Sequence, residues 1–306
     1  MKLLHYISAL ACMALPIASP AAAQTAAPAA ASVTVRQASV EDPGHPSIPV
    51  VIWTPASGAG LAMVVISHGT GAAPLSHIDT AQALAGAGFV VVAPMHPGDN
   101  FQDDSVVGKP AWFADRSRHV SKVIDFMLTR WEGRDQLSPS RIGIFGFSAG
   151  ATTALVSIGG VPDLARIAPH CAATPEFVCK ILKPQMGESA VWTHDPRIAA
   201  AVIAAPGIGF AFEPAGLTKV RVPVQLWSGS ADDTVPYASN VAIVRRLLPQ
   251  AEFHSVDNAV HLSFLAPCTP DSPPFLCKDA PGFDRTAFRG SFNKAVIAFF
   301  IQHLRG

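Results

Sequence analysis

The chain is short of charge. Only 14% of its 306 residues are charged, and 22 basic side chains balance 22 acidic ones. A formal charge of zero argues against nucleic acid as a partner, because binding the phosphate backbone calls for a basic surface. It also leaves no polybasic patch for an anionic membrane. Cys-x-x-Cys and paired-histidine spacings are missing too, so the sequence offers no metal site and calls for no cofactor. No internal repeat and no second domain can be read. What is abundant is apolar side chain, 49% of the total, with 27 prolines. That combination fits one large core with long ordered loops and not disorder.

Residues 1–23 read as a secretory signal peptide. Lys2 gives a short positive start, Leu3 to Ile17 an apolar run too short to span a membrane, and Ala21-Ala-Ala23 a cleavage site. Residues 24–32 read as a flexible lead-in, and 33–306 as the folded domain. The expected destination is outside the cytoplasm, periplasmic or fully secreted. With Cys12 inside the apolar run, four cysteines remain: Cys171, Cys179, Cys268 and Cys277. An even count in an exported protein suggests disulfides, with three possible connectivities. The local pairs Cys171–Cys179 and Cys268–Cys277, each closing a short proline-containing loop, are the preferred choice.

Apolar runs at Ala62–Ile66 and Gly88–Ala93 read as strands buried on both faces of a parallel sheet. Further strands are expected at Val33–Val40, Ile48–Trp53, Ile142–Phe145, Ile198–Ile203, Val222–Trp227 and Glu252–Val256. Helices are expected over Ile78–Ala87, Trp112–Trp131, from Ala151, and over Asn293–His303. Alternation at this rhythm means an α/β fold with helices on both sides of the sheet. Residues 159–196 break the rhythm. They read equally as a lid over the site, tied by Cys171 and Cys179, or as a plain surface excursion.

The stretch that carries chemistry is Gly146-Phe-Ser148-Ala-Gly150, between a strand and a helix. A Gly-x-Ser-x-Gly turn there holds the serine in a strained backbone with its hydroxyl above the sheet. A serine hydroxyl needs a base, and the base needs an acid to orient it. The acid is expected after the Val222–Trp227 strand, where Asp232 is preferred over Asp233, which suits a helix cap better. His261, in the loop after the last strand, is the expected base, and His254, inside that strand, is its rival. For the oxyanion, Ala149 supplies one N–H at a helix start and Thr70, in the loop Ser67-His-Gly-Thr-Gly71, the second. His68 reads as a structural hydrogen-bonder. His96 and Asp99 either line a substrate pocket or hold the loop.

Ser67-His68-Gly-Thr-Gly71, Gly88 through His96, Gly146 through Gly150, Asp232 through Pro236, and His261 with Phe264 together resemble the α/β-hydrolase fold. Within it the chain is most similar to the dienelactone hydrolase group and related platelet-activating-factor acetylhydrolases, from about Ile48 to Leu304. The resemblance implies about eight mostly parallel strands and a Ser148–Asp232–His261 triad, with the oxyanion hole at the Thr70 and Ala149 amides. Dienelactone hydrolases look like cysteine enzymes at this turn, so their lactone chemistry is not carried over to Ser148. The cysteine-bearing segments at 171–179 and 268–277 are not part of the common pattern.

The expected function is therefore exported carboxylic ester hydrolysis through an acyl-enzyme, with a small-molecule ester as partner. An amidase or peptidase using the same triad is the alternative within the class. Outside it stand a catalytically silent binding protein on the same scaffold and, with scattered histidines against it, a metal-dependent hydrolase. The sequence leaves substrate and oligomeric state open.

Overall fold

A computed structural model describes residues 32–182 and 190–305. The signal peptide and all of the lead-in but Ser32 lie outside the described residues, as does part of the irregular 159–196 segment. Eight strands form one sheet: β1 (Val33–Val40), β2 (Ile48–Pro55), β3 (Leu61–Ser67), β4 (Val90–Pro94), β5 (Leu137–Phe147), β6 (Ile198–Ala204), β7 (Val224–Gly229) and β8 (Glu252–Val256). Their order is β1-β2-β4-β3-β5-β6-β7-β8. β2 runs antiparallel to β1 and β4, and every pairing from β4 to β8 is parallel.

Successive residues of a strand point to opposite faces, and here both faces are buried. Met63 and Val65 of β3 enter one core, while Ala62, Val64 and Ile66 enter the other. Val90 and Val92 of β4 alternate with Val91 and Ala93 in the same way. Helices α1 (Ile78–Gly86) and α7 (Arg285–Leu304) cover one face through Ala81, Leu84, Phe292, Val296 and Phe300. Helices α2 (Ala111–Thr129), α3 (Ala149–Ser157) and α6 (Val241–Leu247) cover the other through Val120, Ile124, Leu155, Val241 and Val244. Two short helices, α4 (Ile167–Ala173) and α5 (Pro214–Leu217), lie between β5 and β7 in the chain.

Helices α4 and α5 were not among the expected helices, and three further elements depart from the expectation. β5 begins at Leu137, ahead of the apolar run, with a register shift against β3 and residues 139–141 exposed. Helix α6 was not anticipated, although Val241, Val244 and Leu248 sit at helical spacing on its buried side. Helix α7 starts at Arg285, not Asn293, because its first turns bury charged groups. Asp284 caps it by accepting from Ala287 N–H, and Arg289 pairs with both carboxylate oxygens of Asp79. Both expected disulfides are present, Cys171–Cys179 and Cys268–Cys277. Among the described residues no helix is long and apolar enough to cross a membrane.

Candidate active site

Ser148 stands between the end of β5 and the start of α3, at φ 56° and ψ −121°. Two glycines make this turn possible. A Cβ on Gly146 would lie 2.1 Å from the Gly150 carbonyl oxygen, and one on Gly150 would lie 2.0 Å from the Ser67 carbonyl oxygen. Strand, turn and helix can approach this closely only without those side chains.

Two loops beyond the carboxyl ends of β7 and β8 meet this serine. His261 Nε2 is 2.9 Å from Ser148 Oγ, and His261 Nδ1 is 2.7 Å from Asp232 Oδ2. Among the described residues the carboxylate bonds only the histidine and the turn that follows it, since Asp232 Oδ1 accepts the N–H groups of Thr234 and Val235. The aspartate that orders its own turn is thus Asp232, while Asp233 is exposed. The His261 ring lies against Phe147 with centroids 4.7 Å apart. His254 is elsewhere, stacked on Trp227 and 2.6 Å from Glu252.

The loop after β3 passes beside the serine, where a Cβ on Gly69 would sit 3.3 Å from Ser148 Cβ. His68 Nδ1 is 2.7 Å from the Gly69 carbonyl oxygen, so that nitrogen carries the proton, and its Nε2 accepts the His96 N–H at 3.2 Å. The chain has no cis peptide among the described residues, so the Thr70 N–H points away from the carbonyl that His68 pins. Neither Thr70 N–H nor Ala149 N–H donates to a backbone oxygen among the described residues.

Beneath this loop lies a buried polar cluster. Asp99 accepts from Gly71 N–H at 2.8 Å, from Trp112 Nε1 at 2.5 Å and from Arg116 at 2.5 Å. Arg116 also donates to the His68 carbonyl and to Thr153 Oγ1. His96 bonds Ser67 Oγ and faces His119. His96 and Asp99 therefore do not line the cavity over Ser148: both side chains are fully committed under the loop, which is the loop-holding alternative. Burial pushes His68 down to about 4, with the Arg116 charge adding to it, and holds His96 well below the ordinary histidine value. Arg116 and Trp112 were missed in the sequence. Their signal is the spacing Trp112, Arg116, Val120, Val123, which places an arginine on the buried face of α2.

Above Ser148 is a cavity of about 650 Å³ that also touches Thr70, Ala149 and His261. The irregular segment after α3 supplies Phe177, Val178 and Ile181 to its wall, and the loop before α7 supplies Pro273, Phe275 and Leu276. Among the described residues, no cluster of three or more histidines, cysteines or acids is arranged to hold a metal.

Residues 48–181 match the model of the dienelactone hydrolase family. The motif resemblance ran further, to about Leu304, and beyond residue 181 it is the fold that continues the likeness. A ferulic acid esterase from Streptomyces cinnamoneus superimposes over 92% of this chain and 93% of its own, at 18% identity and a TM-score of 0.61. No curated protein matches in sequence. The order of strands, the sheet covered on both faces and these two likenesses give the chain a dienelactone-hydrolase-like α/β-hydrolase fold.

Proposed function

We propose that this α/β-hydrolase-fold chain is an exported serine hydrolase that cleaves carboxylic esters through an acyl-enzyme. One observation carries the reading: Ser148 Oγ, the His261 ring and Asp232 form an unbroken hydrogen-bonded line at 2.9 and 2.7 Å, opening into a cavity. In this scheme His261 Nε2 takes the hydroxyl proton as Ser148 Oγ attacks the ester carbonyl carbon. Asp232 holds the proton on Nδ1, fixes the ring, and stabilises the imidazolium that forms. The carbonyl oxygen, now negative, is received by the Thr70 and Ala149 N–H groups, where one donor is worth roughly 10²–10³ in rate. Collapse expels the alcohol, which takes the proton from His261. A water then repeats the sequence on the acyl-serine and releases the acid.

Family match and solved neighbour both carry hydrolase names, which supports the ester reading, and two disulfides suit an exported chain. The decisive experiment is treatment of native protein with a fluorophosphonate, followed by peptide mass spectrometry. A single adduct on Ser148 is expected, with loss of p-nitrophenyl ester cleavage, and Ser148→Ala should lower kcat/KM by at least about 10³. Native protein that cleaves no ester and takes no label would overturn the reading.

A further inference from the structure

The cavity over Ser148 has a composition that goes beyond the chemistry of the triad. Among the described residues no aspartate, glutamate, lysine or arginine lines it, and His261 is the one titratable side chain that does. A substrate carrying a free carboxylate or phosphate inside it would lose water and gain no counter-charge, which is costly. At about 650 Å³ it is in the range that takes a drug-sized ligand, and an acetyl group would leave most of it empty.

The mouth is the second observation. Phe101, Phe177 and Phe275 are 63%, 50% and 62% exposed, and all three border this one cavity. Single exposed phenylalanines are ordinary, whereas three converging on one opening from three separate loops form a patch that a ligand would cover. Two of them ride on short covalently closed loops. The Cys171–Cys179 bridge encloses Phe177, and Cys268–Cys277 encloses Phe275. Each loop is also tied down from behind. Glu176 bonds His170, Ser239 and Asn240. Asp279 joins Arg285 to Ser263, two residues past His261. Loops held this way lose little backbone freedom when a substrate arrives, so the area their rings bury is turned more fully into affinity.

Resting on the hydrolase reading above, we infer that the substrates are uncharged esters bearing a long aliphatic or aromatic group, and that Phe177 and Phe275 determine that preference. The apolar group fills the cavity and runs out against the two rings. Acids, phospho-esters and esters with a charged tail are excluded by the lining.

Two ester series test this on the full-length protein: p-nitrophenyl acyl esters from acetate to decanoate, and alkyl acetates from ethyl to decyl. In at least one, kcat/KM should rise about fourfold per added methylene until the cavity is full. A p-nitrophenyl half-ester of octanedioic acid should be about 100-fold poorer than the octanoate. Phe177→Ala and Phe275→Ala should each lower the decanoate-to-acetate ratio of kcat/KM, or its alkyl counterpart, by about tenfold, and Phe177→Leu should recover part of it. Profiles flat in both series, or ratios unmoved by either alanine, would overturn the inference. If the fluorophosphonate still labels Ser148 in that case, the hydrolase reading survives. If no ester is cleaved and no label is taken, it is the hydrolase reading that fails.

Discussion

Ser148 occupies a backbone region that costs a non-glycine residue on the order of 1–3 kcal/mol. The mirror-image conformation is easy for glycine alone. Ser148→Gly should therefore be more stable than Ser148→Ala by about 1 kcal/mol in urea unfolding, though both lose the hydroxyl. Equal stabilities would mean the turn holds no strain. The flanking glycines behave in the opposite sense: Gly150→Ala pushes a methyl group into the Ser67 carbonyl oxygen, backbone that cannot swing aside. A loss of roughly 1–3 kcal/mol is expected, together with most ester cleavage, measured by the same unfolding and by p-nitrophenyl ester assay. At this scale the sequence was readable, since Gly146, Ser148, Gly150, Asp232 and His261 announce their spatial roles through position at strand ends. The double duty of Asp232, ordering its own turn with one oxygen and facing His261 with the other, was not. It depends on which way a carboxylate rotates, and nothing in the neighbouring residue types fixes that.

The loop from Ser67 to Gly71 is an element whose shape is set from underneath. Asp99 ties Gly71 N–H to α2, and Arg116 ties the His68 carbonyl to α3 through Thr153. Both members of this ion pair are buried, with side chains 1% exposed. Removing one leaves the other buried without its counter-charge, so Asp99→Ala should cost about 3–5 kcal/mol of unfolding free energy. If the loop presents Thr70 N–H to the oxyanion, kcat should also fall while KM moves little. Preserved stability and preserved kcat would show that the pair is dispensable. Strands were legible here because β3 and β4 bury both faces, and continuous apolar runs betray that. Helix α7 was only half legible because its early turns reach the core through Arg285, Arg289 and Asn293. Hydrophobic spacing cannot register a charge that is buried against a carboxylate outside the helix, Asp79 from a distant part of the chain or Asp279 from the loop just before it.

Over the whole molecule, buried neutral histidines link stability to pH. Burial lowers His68 to about 4 and His77 and His119 to about 3, with Arg116, Arg289 and Arg118 respectively as the next cause. In the unfolded chain each returns to about 6.5 and binds a proton sooner. The stabilisation is thus complete above about pH 6.5 and is lost as the pH falls toward 4 and 3. Between pH 7 and pH 5 each histidine should remove about 2 kcal/mol, seen as a falling urea midpoint. His77 adds a cost of its own, because among the described residues neither ring nitrogen, packed between Phe145 and Phe147, has a well-formed hydrogen bond, the Phe264 backbone being its nearest polar neighbour. A midpoint constant across that range would contradict the burial of these rings.

The sheet order has a consequence for when activity can arise. Ser148 leaves the central strand β5, but its histidine waits in the loop after β8, the outermost strand and the last to emerge in synthesis. A growing chain thus stays inert until β8 and the loop after it have emerged. On this scheme, hydrolysis during refolding becomes a clock for one event, the docking of the final edge strand. It should lag behind the return of helical signal in circular dichroism.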